Sequence, residues 1–259
     1  MKGFLLALTV GGLMIAAVGV PPAVAAPPAS FGVDLQFGSR DIKEQGSSIG
    51  EVDGVLDTTS VTGRLGIGLV RGLSIFGEIG ALDASVDEFD GYQSTFDLLY
   101  GGGIRLEVPV GGFVGYPSRT MFFSEFRARH ASTSDQVTTL ACVSSNPSDC
   151  NTPSGVFVSD IVDEHLKWWE YTIKIGANGR YENMRPFGGI ELSKLDGTDS
   201  VTSTFSGLIN ENLDVREQNS IGFFLGTDIL LDPRGQSAFT LEMSAIDQFA
   251  LRAGFHVAF

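Results

Sequence analysis

The chain has 259 residues, of which 43% are hydrophobic and 19% charged, and its formal net charge is −14. This composition excludes a disordered or collagen-like chain, and the length fits a single β-barrel domain. The negative charge argues against a nucleic-acid partner, because binding to phosphates requires Lys and Arg.

The first 25 residues have the features of a secretory signal peptide. Lys2 supplies one positive charge, an apolar run follows from Phe4 to Val20, and Ala23-Val24-Ala25 is a small-residue cleavage site. We therefore expect residues 26–259 to form the exported domain, with an uncleaved membrane anchor as the alternative. No later segment has the ~18–20 consecutive apolar residues of a membrane helix, so insertion into a bilayer would require β-strands.

Ten segments alternate apolar with polar residues, which predicts β-strands with two different faces. In chain order they are 31–38, 61–69, 73–80, 96–107, 122–129, 169–175, 189–193, 220–229, 239–244 and 249–259. The connections after the first, third, fifth and seventh strands are long polar loops, at about 43–59, 83–94, 131–164 and 196–215. The connections between them are mostly brief, and the last one, near Asp247, is also short.

The final strand ends the chain on an aromatic residue. Its apolar phase consists of Leu251, Ala253, Phe255, Val257 and Phe259. This strand resembles the terminal strand of bacterial outer-membrane β-barrel proteins. The resemblance implies a closed antiparallel transmembrane β-barrel with long external loops, short periplasmic turns and both termini in the periplasm. It also implies that Phe255, Val257 and Phe259 form a signal read by the barrel assembly machinery, and that the barrel contacts outer-membrane lipid and lipopolysaccharide.

A secreted soluble β-protein would show the same alternation, with its apolar face turned inward. Three features favour the membrane barrel: the signal peptide, a polar face that mixes charges with many glycines, and aromatic residues near strand ends. Trp168, Trp169, Phe249 and Phe259 are the residues expected in the interfacial aromatic girdles. A Lys or Arg that faced mid-bilayer lipid would cost about 2–4 kcal/mol, and the charged residues avoid the apolar phase of every predicted strand.

The polar phase of the strands predicts a lumen that carries both signs of charge. Ten strands lie near the size at which side chains fill a barrel. Unpaired buried charge is strongly destabilising, so we expect an ion-pair network there, with a narrow conduction path as the alternative. The predicted network consists of Arg64, Glu78, Arg105, Glu125, Arg127, Glu170, Lys174, Glu191, Glu242 and Arg252.

Catalytic candidates are few, because the chain has only three histidines. Asp163-Glu164-His165 resembles the Asp-His pair of the omptin proteases, although the rest of the omptin pattern is absent. His165 shares the phase of Trp169 and Ile173, which points it away from the lumen. His256 is expected to be a hydrogen-bonded structural residue near the periplasmic end. We predict no catalytic residue, no cofactor and no metal site.

The two cysteines, Cys142 and Cys150, lie in the loop at 131–164 and are expected to form a disulfide after export. The function that the sequence favours is a non-catalytic outer-membrane barrel, either a narrow porin-like channel or a structural surface barrel. One alternative is an adhesion or interaction barrel that binds an unknown external ligand through the loops near 83–94 and 131–164. A hydrolase with its site at the barrel rim is the other alternative.

Overall fold

A computed structural model describes residues 29–46, 50–70, 72–87, 92–94, 96–110, 120–142, 157–203, 210–218, 220–246 and 248–259. The predicted signal peptide at residues 1–25 lies outside these described residues. The described chain forms eleven strands: β1 (Ser30–Gly46), β2 (Gly50–Val70), β3 (Leu73–Asp87), β4 (Asp97–Pro109), β5 (Thr120–Cys142), β6 (Phe157–Gly179), β7 (Met184–Ser203), β8 (Asn210–Glu217), β9 (Ile221–Leu230), β10 (Ser237–Ala245) and β11 (Gln248–Ala258).

Ten of these strands close into one antiparallel barrel. Strands β1 to β7 pair in chain order, β7 pairs with β9, and β9, β10 and β11 follow. The barrel closes where β11 pairs with β1, in a register that sets Phe31 opposite Val257 and Val33 opposite Phe255. The predicted ten-stranded closed barrel is thus confirmed. In the part of the chain that is described, no helix has the length and apolarity needed to cross a membrane.

The eleventh strand, β8, corrects the prediction of a polar loop at 196–215. Residues 196–202 continue β7 and pair with β8, and β8 pairs in turn with residues 42–45 of β1. Strands β9, β10 and β11 end below this level, so β7, β8 and β1 are neighbours there. The barrel therefore narrows from ten strands to eight toward the end that carries the long connections. This narrowing explains why the connection between β10 and β11 is short.

The predicted loops at 43–59 and 131–164 are also largely strand, and the one at 83–94 begins with the end of β3. β1 and β2 pair as far as Gly46 and Gly50, and β5 and β6 pair as far as Cys142 and Phe157. β3 continues to Asp87. The long connections lie at the end where they were predicted, but much of each one is a strand that continues beyond the membrane. Their inward residues include Ser, Thr, Asp and Glu, which masked the apolar alternation in the sequence.

The opposite end of the barrel carries the short turns and both ends of the described chain, which in membrane barrels is the periplasmic end. Gly72 has a φ of 80° in the turn between β2 and β3. A side chain at Gly72 would also collide with the carbonyl oxygen of Glu107, so this turn requires glycine.

The outward face of the ten-stranded part is apolar. Large side chains that are more than a third exposed there include Phe31, Val33, Leu35 and Phe37 on β1, Leu65 and Ile67 on β2, Ile75 and Ile79 on β3, Ile221, Phe223 and Leu225 on β9, and Leu251 and Phe255 on β11. This apolar belt occupies about nine residues of each strand, the length of a tilted membrane-spanning β-strand. Beyond the belt the outward residues are mostly polar, as with Asp41, Asp57 and Thr198.

Aromatic side chains mark both edges of the belt. Trp169, Phe249 and Phe259 are exposed, as predicted for girdle residues at the membrane surfaces. Trp168 is only 4% exposed and points into the barrel, so its assignment to a girdle was wrong. Because successive residues of a strand point to opposite faces, two adjacent tryptophans cannot both face the lipid.

Candidate functional site

The lumen has four levels along the barrel axis, and the lowest is an open vestibule. This cavity of about 410 Å³ lies at the periplasmic end, where Gly72, Glu107 and Arg185 are among the residues that line it. Phe76 and Phe123 form part of its wall. The Arg64 guanidinium lies 3.4 Å from the ring centroid of Phe76, and that of Arg105 lies 4.4 Å from the ring of Phe123.

Above the vestibule, charged side chains from opposite walls fill the lumen. The Arg105 guanidinium lies 2.8 Å from Glu107 and 3.2 Å from Glu125. Arg64 lies 3.2 Å from the same Glu125 carboxylate and 3.8 Å from Glu78. The Glu125 carboxylate of β5 therefore contacts two guanidinium groups, one from β2 and one from β4.

A second set of ion pairs is centred on Glu170. Its carboxylate lies 2.9 Å from Arg129, 3.5 Å from Arg40 and 3.7 Å from Arg127. Arg40 also lies 3.2 Å from Glu217 of β8. Glu170 and its three arginines come from β1, β5 and β6, so this set ties opposite walls of the barrel together.

Two further sets complete the charged layer. Lys174 contacts Glu242 and lies 3.1 Å from Glu191. Arg252 lies 2.8 Å from Asp34, whose other carboxylate oxygen lies 3.2 Å from Nε2 of His256. His256 thus contacts a carboxylate in the lumen, at the place where the sequence suggested a structural histidine.

All ten residues of the predicted network lie in this charged layer, and each one makes an ion pair. The prediction omitted Arg40, Arg129 and Glu217. Arg129 shares the inward phase of Arg127 and could have been included. Arg40 and Glu217 were missed because they lie just outside the predicted strands at 31–38 and 220–229.

An apolar layer closes the narrower part of the lumen above the charges. Side chains from the walls meet there with almost no exposure to solvent. They are Ile42, Leu56, Leu82, Ala84, Val86, Tyr92, Leu99, Ala131, Leu166, Trp168, Leu195 and Val215. An eight-stranded barrel is just narrow enough for side chains to fill it, which accounts for this packing where β8 replaces β9 to β11.

The outermost level is acidic. Glu44 and Asp199 are each 2% exposed, and in the part of the chain that is described each has one carboxylate oxygen without a hydrogen-bond partner. Burial, together with the charge of Asp199, raises the pKa of Glu44 to about 7. Burial also raises the pKa of Glu164, which is hydrogen-bonded to Asp199, and raises that of Asp199 itself. Mutual repulsion and burial therefore favour the protonated forms of these carboxyl groups more than exposure to water would.

The acidity extends over the outer end, which is formed by the described residues of the sequence segments 41–59, 83–97, 134–167 and 194–216. These segments contain nineteen Asp and Glu against four Lys and Arg, a net charge of −15. The rest of the chain carries a net charge of +1. The negative charge of the protein thus belongs to the part beyond the apolar belt.

The structure does not assemble the omptin-like residues into a site. His165 is exposed on the outside of β6, as its phase predicted. Asp163 accepts a hydrogen bond from Gln136 at 2.7 Å, whereas Glu164 points inward toward Asp199. Within the described ranges, no group of three or more His, Cys, Asp or Glu residues is arranged to hold a metal ion.

Two other predictions concern the disulfide between Cys142 and Cys150 and the C-terminal residues Phe255, Val257 and Phe259. Cys142 is the last residue of β5, whereas Cys150 lies outside the described residues, so the disulfide stays a prediction. Phe255 is 43% exposed on the outward face of β11, and the terminal Phe259 is 67% exposed. Val257 lies between them on the same face, opposite Phe31 of β1.

No protein-family model matches the chain, and no curated protein matches its sequence. Several solved structures are similar. The outer membrane protease OmpT from Escherichia coli has 12% identity and a TM-score of 0.47, covering 92% of this chain and 99% of that one. OprG from Pseudomonas aeruginosa has 11% identity and a TM-score of 0.41, covering 91% of this chain and 98% of that one. The toluene transporter TbuX from Ralstonia pickettii has 11% identity and a TM-score of 0.37, covering 91% of this chain and 90% of that one.

The pairing and the surface of the chain itself define its class. Every strand of the barrel is paired on both sides, an apolar belt of bilayer height faces outward, and the charged residues face inward. A closed barrel leaves no unpaired sheet edge in hydrocarbon, which is the requirement for a β-structure that spans a membrane. The protein has the architecture of a closed transmembrane β-barrel, as the sequence predicted.

Proposed function

We propose that this protein is a closed, non-catalytic barrel that carries a rigid extension above the outer membrane. The observation that carries the proposal is the filling of the lumen by two stacked layers, the ion pairs around Glu170 and Glu125 and the apolar residues around Trp168. A conducting pore needs a continuous water-filled path, and side chains occupy that path in both layers. The vestibule is then a water-filled recess without an exit to the outside.

Conductance in planar bilayers tests the closed barrel. Folded protein, identified by its faster migration in unheated gels, is expected to give no current steps at either polarity. The double variant Trp168→Gly with Arg129→Ser removes one large side chain from each layer, and current steps from this variant would show that the two layers are the barrier. Steady single-channel steps from the wild-type barrel would refute the proposal.

A second candidate function is an interaction barrel that acts through the outer end. The observation that favours it is the confinement of a net charge of −15 to that end. Such a surface attracts cationic partners at distances up to about 10 Å in ~0.1 M salt. The test is binding of the folded barrel to polylysine against polyglutamate at two salt concentrations. Equal binding of both polymers would remove this candidate.

A further inference from the structure

Four carboxyl groups face the lumen inside the outer mouth of the barrel. Each has the inward phase of its strand, and they are Glu44 of β1, Asp135 of β5, Glu164 of β6 and Asp199 of β7. We call this group the acidic cup. The apolar layer around Val215 closes the cup from below. Asp135 and Glu164 are half-buried, so the cup is in contact with water at its rim.

The cup concentrates negative charge. Asp135 lies directly opposite Glu164 in the strand register, and like charges in such a pair destabilise a sheet. Burial and then the charge of Asp199 raise the pKa of both Glu44 and Glu164, because these three carboxyl groups lie close together. The described ion pairs of the outer end all lie outside the cup, and they join Lys43 to Asp53, Lys194 to Asp196 and Arg216 to Asp214.

Two oxygen atoms of the cup lack a donor. Asp135 accepts hydrogen bonds from the backbone N–H groups of Gln93 at 3.0 Å and Gln136 at 2.7 Å. By contrast, Oε2 of Glu44 and Oδ1 of Asp199 are buried and have no hydrogen-bond partner among the described residues. Both side chains are only 2% exposed. A buried acceptor without a donor loses its hydration and gains nothing in return, so these two oxygens mark the position of a missing donor.

We propose that the acidic cup binds one primary ammonium group. An ammonium has three N–H donors and one positive charge in a compact head. It can therefore donate to the unpartnered oxygens of Glu44 and Asp199 and to the carboxylate of Glu164 at the same time. The aliphatic chain that carries the ammonium extends outward to water, because the apolar layer closes the cup below. Free diamines and the lysine side chain of a partner protein both present this group.

This proposal rests on the interaction role of the outer end and names the chemical group that the outer end takes. The acidic surface attracts any cation through long-range charge, whereas the cup requires N–H donors. Charge-assisted hydrogen bonds are about twice as strong as neutral ones, and the buried setting strengthens them further. A quaternary ammonium has the same charge but no N–H donor. It should therefore be attracted to the outer surface without being held by the cup.

Isothermal titration calorimetry of the folded barrel in neutral-detergent micelles tests the cup. The titration is done at pH 8, where protons compete less for the carboxylates, in ~0.1 M salt. Pentane-1,5-diamine is compared with its fully N-methylated analogue, which has the same chain and charge. We expect one diamine site per barrel and binding of the analogue at least tenfold weaker. An N-acetylated peptide with a single lysine is the third titrant, and the tighter of diamine and peptide identifies the source of the ammonium.

Variants separate the cup from the surface charge. Glu44→Gln and Asp199→Asn each remove one unpartnered carboxylate oxygen, and each should weaken diamine binding at least tenfold. Both remove a buried charge, so the barrels should keep their compact gel migration. Asp214→Asn removes the same charge from the exposed face of β8 and should leave the affinity within twofold of wild type.

Three results would overturn the proposal: equal binding of the diamine and its methylated analogue, equal weakening by Asp214→Asn, or tighter binding of calcium ions than of the diamine. The interaction role itself is tested separately by polylysine. Salt-dependent binding of polylysine without binding of the diamine would remove the cup as a site and leave the role of the acidic surface intact.

Discussion

Among the described lumen carboxylates, Glu170 contacts the largest number of cationic side chains. Arg40, Arg127 and Arg129 all contact its carboxylate. Glu170→Gln leaves three buried guanidinium groups with one acid fewer. Breaking a buried ion-pair set by removing one partner costs about 3–5 kcal/mol, so we expect a loss of this size. The temperature at which the compact gel band converts to the unfolded band measures it.

Asp53→Asn is the matched control. Asp53 pairs with Lys43 at 3.5 Å on the exposed surface of the outer end. Exposed pairs contribute about 0–1 kcal/mol, so this variant should unfold at nearly the wild-type temperature. If both variants unfolded at the same temperature, the Glu170 set would not be the strong element that its geometry indicates.

Glu44 makes the stability of the outer end depend on pH. The folded protein keeps its proton up to about pH 7, whereas an ordinary glutamate releases it near 4.5. The folded state therefore binds more protons between these values, and the free energy of unfolding falls as pH rises through this window. Glu44→Gln should flatten this fall and melt at a higher temperature than wild type at pH 8. Parallel melting curves against pH for both proteins would contradict the assignment.

At the scale of elements, β8 closes the narrow part of the barrel. Val215 is fully buried at the centre of β8, and its neighbours Asp214 and Arg216 point outward. Val215→Asp puts an unpaired carboxylate into the apolar layer and should open the segment at 194–218 to proteases. The ten-stranded ring in the membrane should stay folded and keep its compact gel migration.

Arg216→Ala is the control for β8, because Arg216 is exposed and, among the described residues, forms an ion pair with Asp214 at 3.3 Å. Proteolysis of this variant should follow the wild-type pattern. Cleavage of the Arg216→Ala variant at the rate of Val215→Asp would mean that β8 is loosely held whatever its inward side chain. Resistance of Val215→Asp would show that β8 does not depend on the apolar layer.

The sequence predicted the membrane part of each strand better than the outer part. Within the bilayer the outward residues must be apolar, so the alternation is strong, as in β9 with Ile221, Phe223 and Leu225. Above it both faces carry polar residues, and the alternation fades. β8 has only Leu213 and Val215 as inward apolar residues, and its pairing with β1 joins residues more than 160 positions apart. A pattern within one segment contains no information about such a partner.

The candidate site was predictable to a similar degree. The two-residue period of the strands identified the charged residues that point inward, because these residues alternate with the apolar residues that point outward. The partners across the lumen were not predictable, since Arg64 meets Glu125 through barrel closure and not through sequence proximity. The acidic group at Glu44 and Asp199 was missed because both residues lay in segments assigned to polar loops. The sequence shows an Asp or Glu in the same way whether its carboxylate is solvated in a loop or buried in a strand.

The whole molecule divides into a nearly neutral membrane barrel and an acidic outer barrel. The two parts have opposite surface chemistry, and six strands, β1, β2, β3, β5, β6 and β7, continue from one part into the other. A continuous sheet transmits the register of the membrane part to the outer part, so the outer end is a rigid element rather than a set of separate loops. Orientation follows from this division, because the charges of the outer end cannot rest in hydrocarbon.

Closure of the barrel joins its first and last strands, β1 and β11, and Phe259 lies at that seam. Its backbone N–H donates to the carbonyl of Ala29 at 2.9 Å, but its side chain is 67% exposed. A side chain with so few contacts contributes little to the folded barrel. Phe259→Ser should therefore change the stability of refolded protein by less than about 1 kcal/mol. In cells it should lower the assembled fraction several-fold, if the terminal residue is read during assembly.

Phe249→Ser distinguishes this role from a general need for aromatic residues in the girdle. Phe249 is 53% exposed on the same strand, at the other edge of the belt. The loss of lipid contact is similar for the two variants, so their refolded stabilities should agree. Only the Phe259 variant should accumulate as unassembled, protease-sensitive chain, measured as the ratio of compact to unfolded bands in membranes. Equal accumulation of both variants would show that assembly depends on the belt as a whole and not on the last residue.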